Sequence, residues 1–190
     1  MPQEASEIEE QALEALDAGD FRGALTLLMD AYGNAVYRFC RHLVADAELA
    51  EDAHQMTFVQ AFESLQGFSR RSTLRTWLFS IARHRCLDAA KINRRRQARF
   101  QAVPELPDSP LKETPPDERL AAAARQKALN RCLGKLQAKV RAAILLRYQQ
   151  DLSYPEMARA AGEQPATLQA RVARAMPVLR RCLEGQGAVP

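Results

Sequence analysis

The chain has 190 residues, 47% of them apolar, enough for one mid-sized domain or two small ones with a buried core. The formal charge of +4 arises from 27 Lys and Arg against 23 Asp and Glu, very unevenly distributed. No apolar run approaches the ~18 residues that cross a bilayer, and the acidic stretch Met1 to Glu14 lacks the basic-then-apolar order of a signal peptide, so the expectation is a cytoplasmic protein without membrane insertion.

Abundant Leu, Ala, Arg, Glu and Gln favour helix, and no alternating run of β-branched residues supports a strand. The expected fold class is all-α. A first helix spans Glu4 to Ala18 and ends near Gly19. Phe21 to Val44 repeats apolar residues with a 3.6 period through Leu25, Leu28, Met29, Tyr32, Val36, Phe39, Cys40 and Leu43. Asp46 can cap a third helix running to about Leu65, with Leu49, Ala53, Met56, Val59 and Phe62 or near neighbours inward. The polar loop Gly67 to Ser72 follows. Ser72 or Thr73 then opens a helix to about Arg96.

Gln101 to Pro116 contains Pro104, Pro107, Pro110, Pro115 and Pro116. Proline lacks an amide donor and disfavours helix in the residue before it, so this stretch is an extended, acidic linker. It separates residues 1–98 from 119–190, with 99–118 between two small helical domains. The second half opens with helices from about Asp117 to Leu133 and Ala138 to Gln150. Ser153 and Glu156 have capping-box spacing, Gly162 closes a short helix, and Pro165 starts the next, with Thr167 to Ala175 as its body. Pro177 should kink or end that helix. Cys40, Cys86, Cys132 and Cys182 stand far apart without a CxxC or Cys–His cluster; they read as four separate thiols, with no zinc site or disulfide framework.

Charge divides along the same boundaries. Residues 1–66 carry 13 acidic and 3 basic side chains, a balance of −10; residues 69–99 carry 10 basic and 1 acidic, a balance of +9. Residues 100–118 balance at −4 and residues 119–190 at +9. Two basic blocks suggest two contacts with polyanion, and the acidic first third needs a different partner.

Three constellations carry function. Ser153 to Ala175 has helix–turn–helix spacing, which lays a second helix in the major groove. Met157, Ala158, Ala161, Leu168 and Val172 would pack the pair. Gln164, Thr167, Gln169, Arg171 and Arg174 are then the candidates to face DNA, since Gln and Arg read base edges and Arg also grips phosphate. From Phe68 to Arg99, Arg70, Arg71, Arg75, Arg83, Arg85, Lys91, Arg94, Arg95, Arg96 and Arg99 supply cations, while Phe68, Trp77 and Phe79 supply rings. Cations for a backbone and rings for unstacked bases are what single-strand binding requires. The third, Asp46, Glu48, Glu51, Asp52, Gln55, Met56 and Phe58, mixes carboxylates with apolar residues on one helix; alone it reads as a solvated face.

Together these carry a family resemblance. Asp46-Ala-Glu-Leu-Ala-Glu-Asp-Ala-His-Gln-Met-Thr-Phe-Val-Gln-Ala-Phe62 resembles the core-binding helix of extracytoplasmic-function (ECF) sigma factors. Ser72-Thr-Leu-Arg-Thr-Trp-Leu-Phe-Ser-Ile-Ala-Arg-His-Arg-Cys-Leu-Asp-Ala-Ala90 is similar to the signature that follows it. Leu145-Leu-Arg-Tyr-Gln-Gln-Asp-Leu-Ser-Tyr-Pro-Glu-Met-Ala158 is similar to the start of region four. The likeness covers about residues 20–98 and 119–184.

The resemblance implies a factor that directs RNA polymerase to promoters and helps open them, without a catalytic site, metal or cofactor. Asp46, Glu48, Glu51, Asp52, Gln55, Met56 and Phe58 would dock on the β′ clamp of the core enzyme, with the β flap a second contact. Phe68, Arg70, Arg71, Ser72, Arg75, Trp77, Arg83, His84, Asp88, Lys91, Arg94 and Arg95 would hold the −10 element, a flipped base entering the Phe68–Thr73 loop. Gln164, Thr167, Gln169, Arg171 and Arg174 would read −35. The acidic linker would thread toward the RNA exit path, and an anti-sigma protein would restrain the whole. His84 stands where Asn is common, Gln169, Ala170 and Ala173 replace a Lys, Ser and His pattern, and Met176-Pro177 replaces a basic pair. The alternatives are a stand-alone helix–turn–helix regulator of duplex DNA, a nucleic-acid enzyme, and a sigma-like decoy without promoter choice.

Overall fold

A computed structural model describes residues 2–100 and 117–186, all of them in helices or the turns between them. In order these are α1 (Pro2–Asp17), α2 (Phe21–Val44), α3 (Ala47–Leu65), α4 (Leu74–Phe100), α5 (Asp117–Gly134), α6 (Ala138–Ile144) with a π-helical turn (Leu145–Gln149), α7 (Tyr154–Ala161) and α8 (Pro165–Glu184). The proline-rich linker falls almost wholly outside the described residues. Within them, α4 runs past residue 98 to Phe100, and α5 already starts at Asp117.

The first half is a bundle in which α2, α3 and α4 pack on one another and α1 lies along α2. Asp20 caps α2, its Oδ1 accepting from the Gly23 amide at 2.8 Å. Ala24, Leu28, Tyr32, Val36, Phe39 and Leu43 recur on one face of α2 and are buried. On α4, Leu74, Leu78, Phe79, Ala82, Cys86 and Ala89 face them. Phe39 and Phe79 meet edge to face at 5.6 Å, each burial stabilising by ~2–3 kcal/mol. Two side chains close the C-terminus of α2: Asn93 Nδ2 donates to the Val44 carbonyl at 3.0 Å, and Arg141 Nη1, from the second half, to the Leu43 carbonyl at 2.8 Å.

On α3 the expected inward set is only partly right. Leu49 and Ala53 are buried, together with Ala50, Thr57, Phe58, Ala61 and Leu65. Met56, Val59 and Phe62 are 45%, 47% and 46% exposed. The sequence puts an apolar residue at almost every turn of both faces, so periodicity could not choose between them; packing against α2 and α4 did.

In the second half, the expected helix from Ala138 to Gln150 ends in the π-helical turn, with the Gln150 amide bonded to the Leu145 carbonyl at 3.1 Å. Asp151 follows with φ of +49°. Pro177 does not end α8, which continues through it to Glu184. The last turns are held from outside the helix, by burial of Leu179 and by a disulfide from Cys182 to Cys132 on α5, Cα to Cα 5.8 Å. That bond also corrects the expectation of four separate thiols. Cys40 and Cys86 are free and buried with their sulfurs 3.2 Å apart, and the hydrogen bond between them, with burial, pushes the Cys86 thiol well up. The members of each pair come from helices far apart in sequence, which is why spacing did not reveal them.

Candidate nucleic-acid interface

The loop between α3 and α4 is pinned at both ends. At its start, the Phe68 amide bonds the Leu65 carbonyl at 3.1 Å. At its end, Thr73 Oγ1 accepts from the Thr76 amide at 3.1 Å, and Glu9 Oε1 on α1 accepts from the Arg75 amide at 2.7 Å. Two of the four orphan donors of α4 are thereby satisfied. Glu9 was invisible to sequence reasoning, because its partner lies 66 residues away. Between these anchors Arg70 adopts a left-handed φ of +56° and pairs with Asp17 of α1. Arg71 is exposed and its Nε reaches Ser69 Oγ at 3.2 Å, while the half-buried Ser72 bonds the Thr73 carbonyl.

The Phe68 and Trp77 rings lie 5.4 Å apart, tilted by 57°, beside these arginines. They open on a cavity of about 580 Å³, lined on one side by Phe68, Ser69, Arg71, Ser72 and Trp77 and on the other by Arg159, Ala160 and Gly162 of the second half. Trp77 is half-buried, its indole joined to both core and cavity. Along α4, Arg75 stacks over Phe79, its guanidinium 5.9 Å from the ring centre, and also donates to the Gln150 carbonyl. His84, Lys91, Arg94 and Arg95 are exposed, and Arg85 bonds Gln60. Asp88 sits among them. Its carboxylate takes a 2.9 Å bond from Lys91 and lies 3.5 Å from His84, and the Lys91 bond holds it below the usual carboxylate range. Arg83 differs from the rest: it is only 9% exposed, and burial lowers its pKa.

The acidic face of α3 is a separate surface. Asp46 is spent as a cap, its Oδ1 accepting from the Leu49 amide at 2.9 Å. Glu48, Glu51, Asp52, Gln55 and Met56 are exposed. Phe58, expected to face outward with them, is 6% exposed and packs edge-on to His54. The exposed apolar residues beside the carboxylates are Met56, Val59 and Phe62.

The helix–turn–helix pair is built as its residues dictate. Ser153 and Glu156 form the reciprocal capping box that opens α7. Gly162 closes it at φ +65°, a conformation costly for residues with a Cβ. Met157, Leu168 and Val172 are buried between the helices, with the partly buried Ala158 and Ala161 packed against the same core, while Ala160 is buried at the cavity that α7 shares with α4. Gln164, Thr167, Gln169 and Arg174 are exposed. Arg171 instead grips Glu163 through both guanidinium nitrogens, Nη1 to Oε1 at 3.0 Å. That bond raises the Arg171 pKa and lowers that of Glu163. Glu163 also receives Arg83 Nη2 at 3.1 Å, across 80 residues of sequence. No sequence signal marked it.

Comparison with known proteins decides what these surfaces belong to. Residues 28–98 match the family model for Sigma-70 region 2, and residues 126–176 that for Sigma-70 region 4. The ECF RNA polymerase sigma factor SigC of Mycobacterium tuberculosis is 33% identical over 178 residues, 92% of each chain. The chain is an ECF sigma factor. SigX of Bacillus subtilis is 28% identical over 83% of this chain and 82% of its own. Among solved structures, the sigma factor RpoE, in complex with the anti-sigma factor NepR from Bartonella quintana, superposes with a TM-score of 0.61 at 26% identity, covering 87% of this chain and 97% of that one. CnrH, in complex with the cytosolic domain of CnrY, shares the fold with a TM-score of 0.66 at 23% identity, over 93% and 97%.

As a sigma factor the protein directs RNA polymerase to promoters and promotes DNA opening in initiation. The region 2 match takes in the cationic α4 and the acidic face of α3, and the region 4 match the helix–turn–helix. This disfavours the stand-alone regulator. Two features lie outside the matched residues: α1, which precedes residue 28, and Pro177, which follows residue 176. No helix among the described residues is long and apolar enough to cross a membrane.

Proposed function

We propose that this sigma factor divides promoter recognition between its two basic faces. The Phe68–Thr73 loop and the α4 face carrying Arg71, Arg75, Trp77, His84, Lys91, Arg94 and Arg95 take the −10 element, with Arg83 at the inner edge. Phe68, Arg71 and Ser72 line the cavity that receives an unstacked base, and Arg70 stands beside it in the same loop, paired with Asp17. Asp88 neutralises part of the face and orients His84 and Lys91. Gln164, Thr167, Gln169, Arg171 and Arg174 take −35. One observation carries this reading: two tilted aromatic rings beside exposed arginines, opening on a cavity large enough for a base.

The core polymerase is proposed to seat on α3 through Glu48, Glu51, Asp52, Gln55 and Met56 at the β′ clamp, joined by Val59 and Phe62 where Phe58 is buried; the β flap would take the second half. Residues 1–98 and 119–190 act as the two modules, with 99–118 spanning them toward the RNA exit path. The protein acts in the cytoplasm by binding alone, without chemistry of its own. An anti-sigma partner is proposed by similarity to RpoE, solved with NepR.

The test is run-off transcription with core enzyme on a promoter library. Stacking of one base is worth ~1–3 kcal/mol, so Trp77→Ala and Arg71→Ala should each cut open-complex yield about tenfold or more. Gln169→Ala with Arg174→Ala should instead weaken holoenzyme binding to duplex carrying the −35 element. Open-complex yield indifferent to both loop variants would reject the assignment.

A further inference from the structure

The helix that precedes the matched residues, α1, is fixed on the bundle and reaches the loop assigned to the −10 strand. Ala12 is fully buried, and Leu13, Ala15 and Leu16 pack against the core beside it. The turn into α2 is closed by the Gly19 amide on the Leu16 carbonyl at 3.0 Å and the Asp20 amide on the Ala15 carbonyl at 2.8 Å, with Gly19 at φ +78°. Asp20 then caps α2 over Gly23, where a Cβ would run into the Asp20 carboxylate. α1 therefore has little freedom to swing relative to α2.

Two carboxylates leave this helix toward the loop. Glu9 and Asp17 stand about two turns apart, ~12 Å along the axis. Asp17 pairs with Arg70 in the middle of the loop, and Glu9 accepts from the Arg75 amide in the first turn of α4 at 2.7 Å. The loop's other bonds are short-range: the Phe68 amide to the Leu65 carbonyl, Arg71 to Ser69 and Ser72 to Thr73. Those bonds do not tie Arg70 to the bundle, and its φ of +56° is unfavourable for a residue with a Cβ; Asp17 supplies the tie. Electrostatics alone sets carboxylates against a polyanion site. A favourable contribution from these two to strand capture is therefore geometric.

We propose that Glu9 and Asp17 are positioning residues: through them α1 holds the Phe68–Thr73 loop and the first turn of α4 in the shape that takes an unstacked base, so that the acidic N-terminal helix favours promoter opening without touching DNA. The inference rests on the assignment of that loop to the −10 strand. Phe68, Arg71 and Trp77 have to stand around the cavity before the base arrives, since ordering them at the moment of capture subtracts from the affinity gained. The exposed Asp17–Arg70 pair is the weaker tie, and the bond from a helix N-terminus to the half-buried Glu9 the stronger.

The test uses the full-length protein assembled with core enzyme and a fluorescent oligonucleotide carrying the non-template −10 strand of a promoter recovered from the library. Asp17→Ala should weaken strand binding about two- to threefold, and Glu9→Ala about fivefold. Glu9→Gln, which keeps the acceptor, should stay close to the wild type. Repulsion alone predicts the opposite sign, tighter binding once either carboxylate is gone. Adding Pro177→Ala, in the other half of the chain, should restore the thermal midpoint of Glu9→Ala but not its strand affinity, which separates positioning from stability. Unchanged or tighter strand binding in both alanine variants, or full recovery in the double variant, would overturn the proposal. Trp77→Ala and Arg71→Ala on the same oligonucleotide then locate the fault. If they too bind normally, the loop does not take the strand and both readings fall; if they bind weakly, the positioning role alone is rejected.

Discussion

Glu9 illustrates how one side chain can be both misplaced in energy and indispensable in geometry. Desolvation is the largest influence on its carboxyl and raises its pKa above 4.5, although the Arg75 amide and the Arg75 charge pull the other way. A carboxyl raised in the folded state stabilises fully below its unfolded pKa, and that contribution fades as pH rises through the folded value. In its ionised form Glu9 is therefore a net liability except as an acceptor. Glu9→Gln, neutral but still an acceptor, should match or exceed the wild type in urea denaturation at pH 7 and lose that advantage at pH 4. Glu9→Ala strands the Arg75 amide and should cost ~1 kcal/mol at both. Arg70 carries a comparable tension: it is held left-handed in the loop while its guanidinium pairs with Asp17 of the same α1. The acidic first helix is thus tied to the −10 loop at two points.

At the scale of elements, α8 shows tertiary contacts overriding a local rule. A proline inside a helix loses a hydrogen bond and clashes with the preceding turn, at ~3 kcal/mol relative to alanine. α8 nevertheless runs on to Glu184, because Leu179 is buried and Cys182 is bonded to α5. Pro177 is exposed, so Pro177→Ala restores the backbone bond without disturbing packing and should raise stability by ~1–3 kcal/mol, read as a higher thermal midpoint. The helix–turn–helix pair shows the opposite case. Its capping box, its left-handed glycine and its buried Met157, Leu168 and Val172 were legible in the sequence, because each depends on residues within one or two turns. α3 was legible in its cap but not in its facing, since both sides carry apolar residues.

For the molecule as a whole, buried residues form one contiguous cluster across both halves, while the covalent staple lies in the second half alone. Cys132 and Cys182 are 50 residues apart, so their bond removes considerable chain entropy from the unfolded second half, typically 2–4 kcal/mol. The single tryptophan, Trp77, reports only on the first half. Urea unfolding of the oxidised protein should give coincident tryptophan-fluorescence and circular-dichroism transitions. Under reducing conditions, or in Cys132→Ser with Cys182→Ser, the circular-dichroism transition should begin earlier, as the second half melts first. Coincidence in both states would show that the staple adds nothing.

The amino-acid sequence by itself determined the all-α class, the helix order, the caps at Asp46 and Ser153, the turn at Gly162 and the two cationic blocks that match sigma regions 2 and 4. All of these follow from local propensity, periodicity and charge, which act over a few residues. Only the tertiary structure decided which face of α3 is exposed, that Phe58 is core, which cysteines meet, and that Glu9 and Glu163 hold arginines 66 and 80 residues away. Those outcomes depend on which helices come to lie side by side, and one-dimensional spacing does not encode that distance.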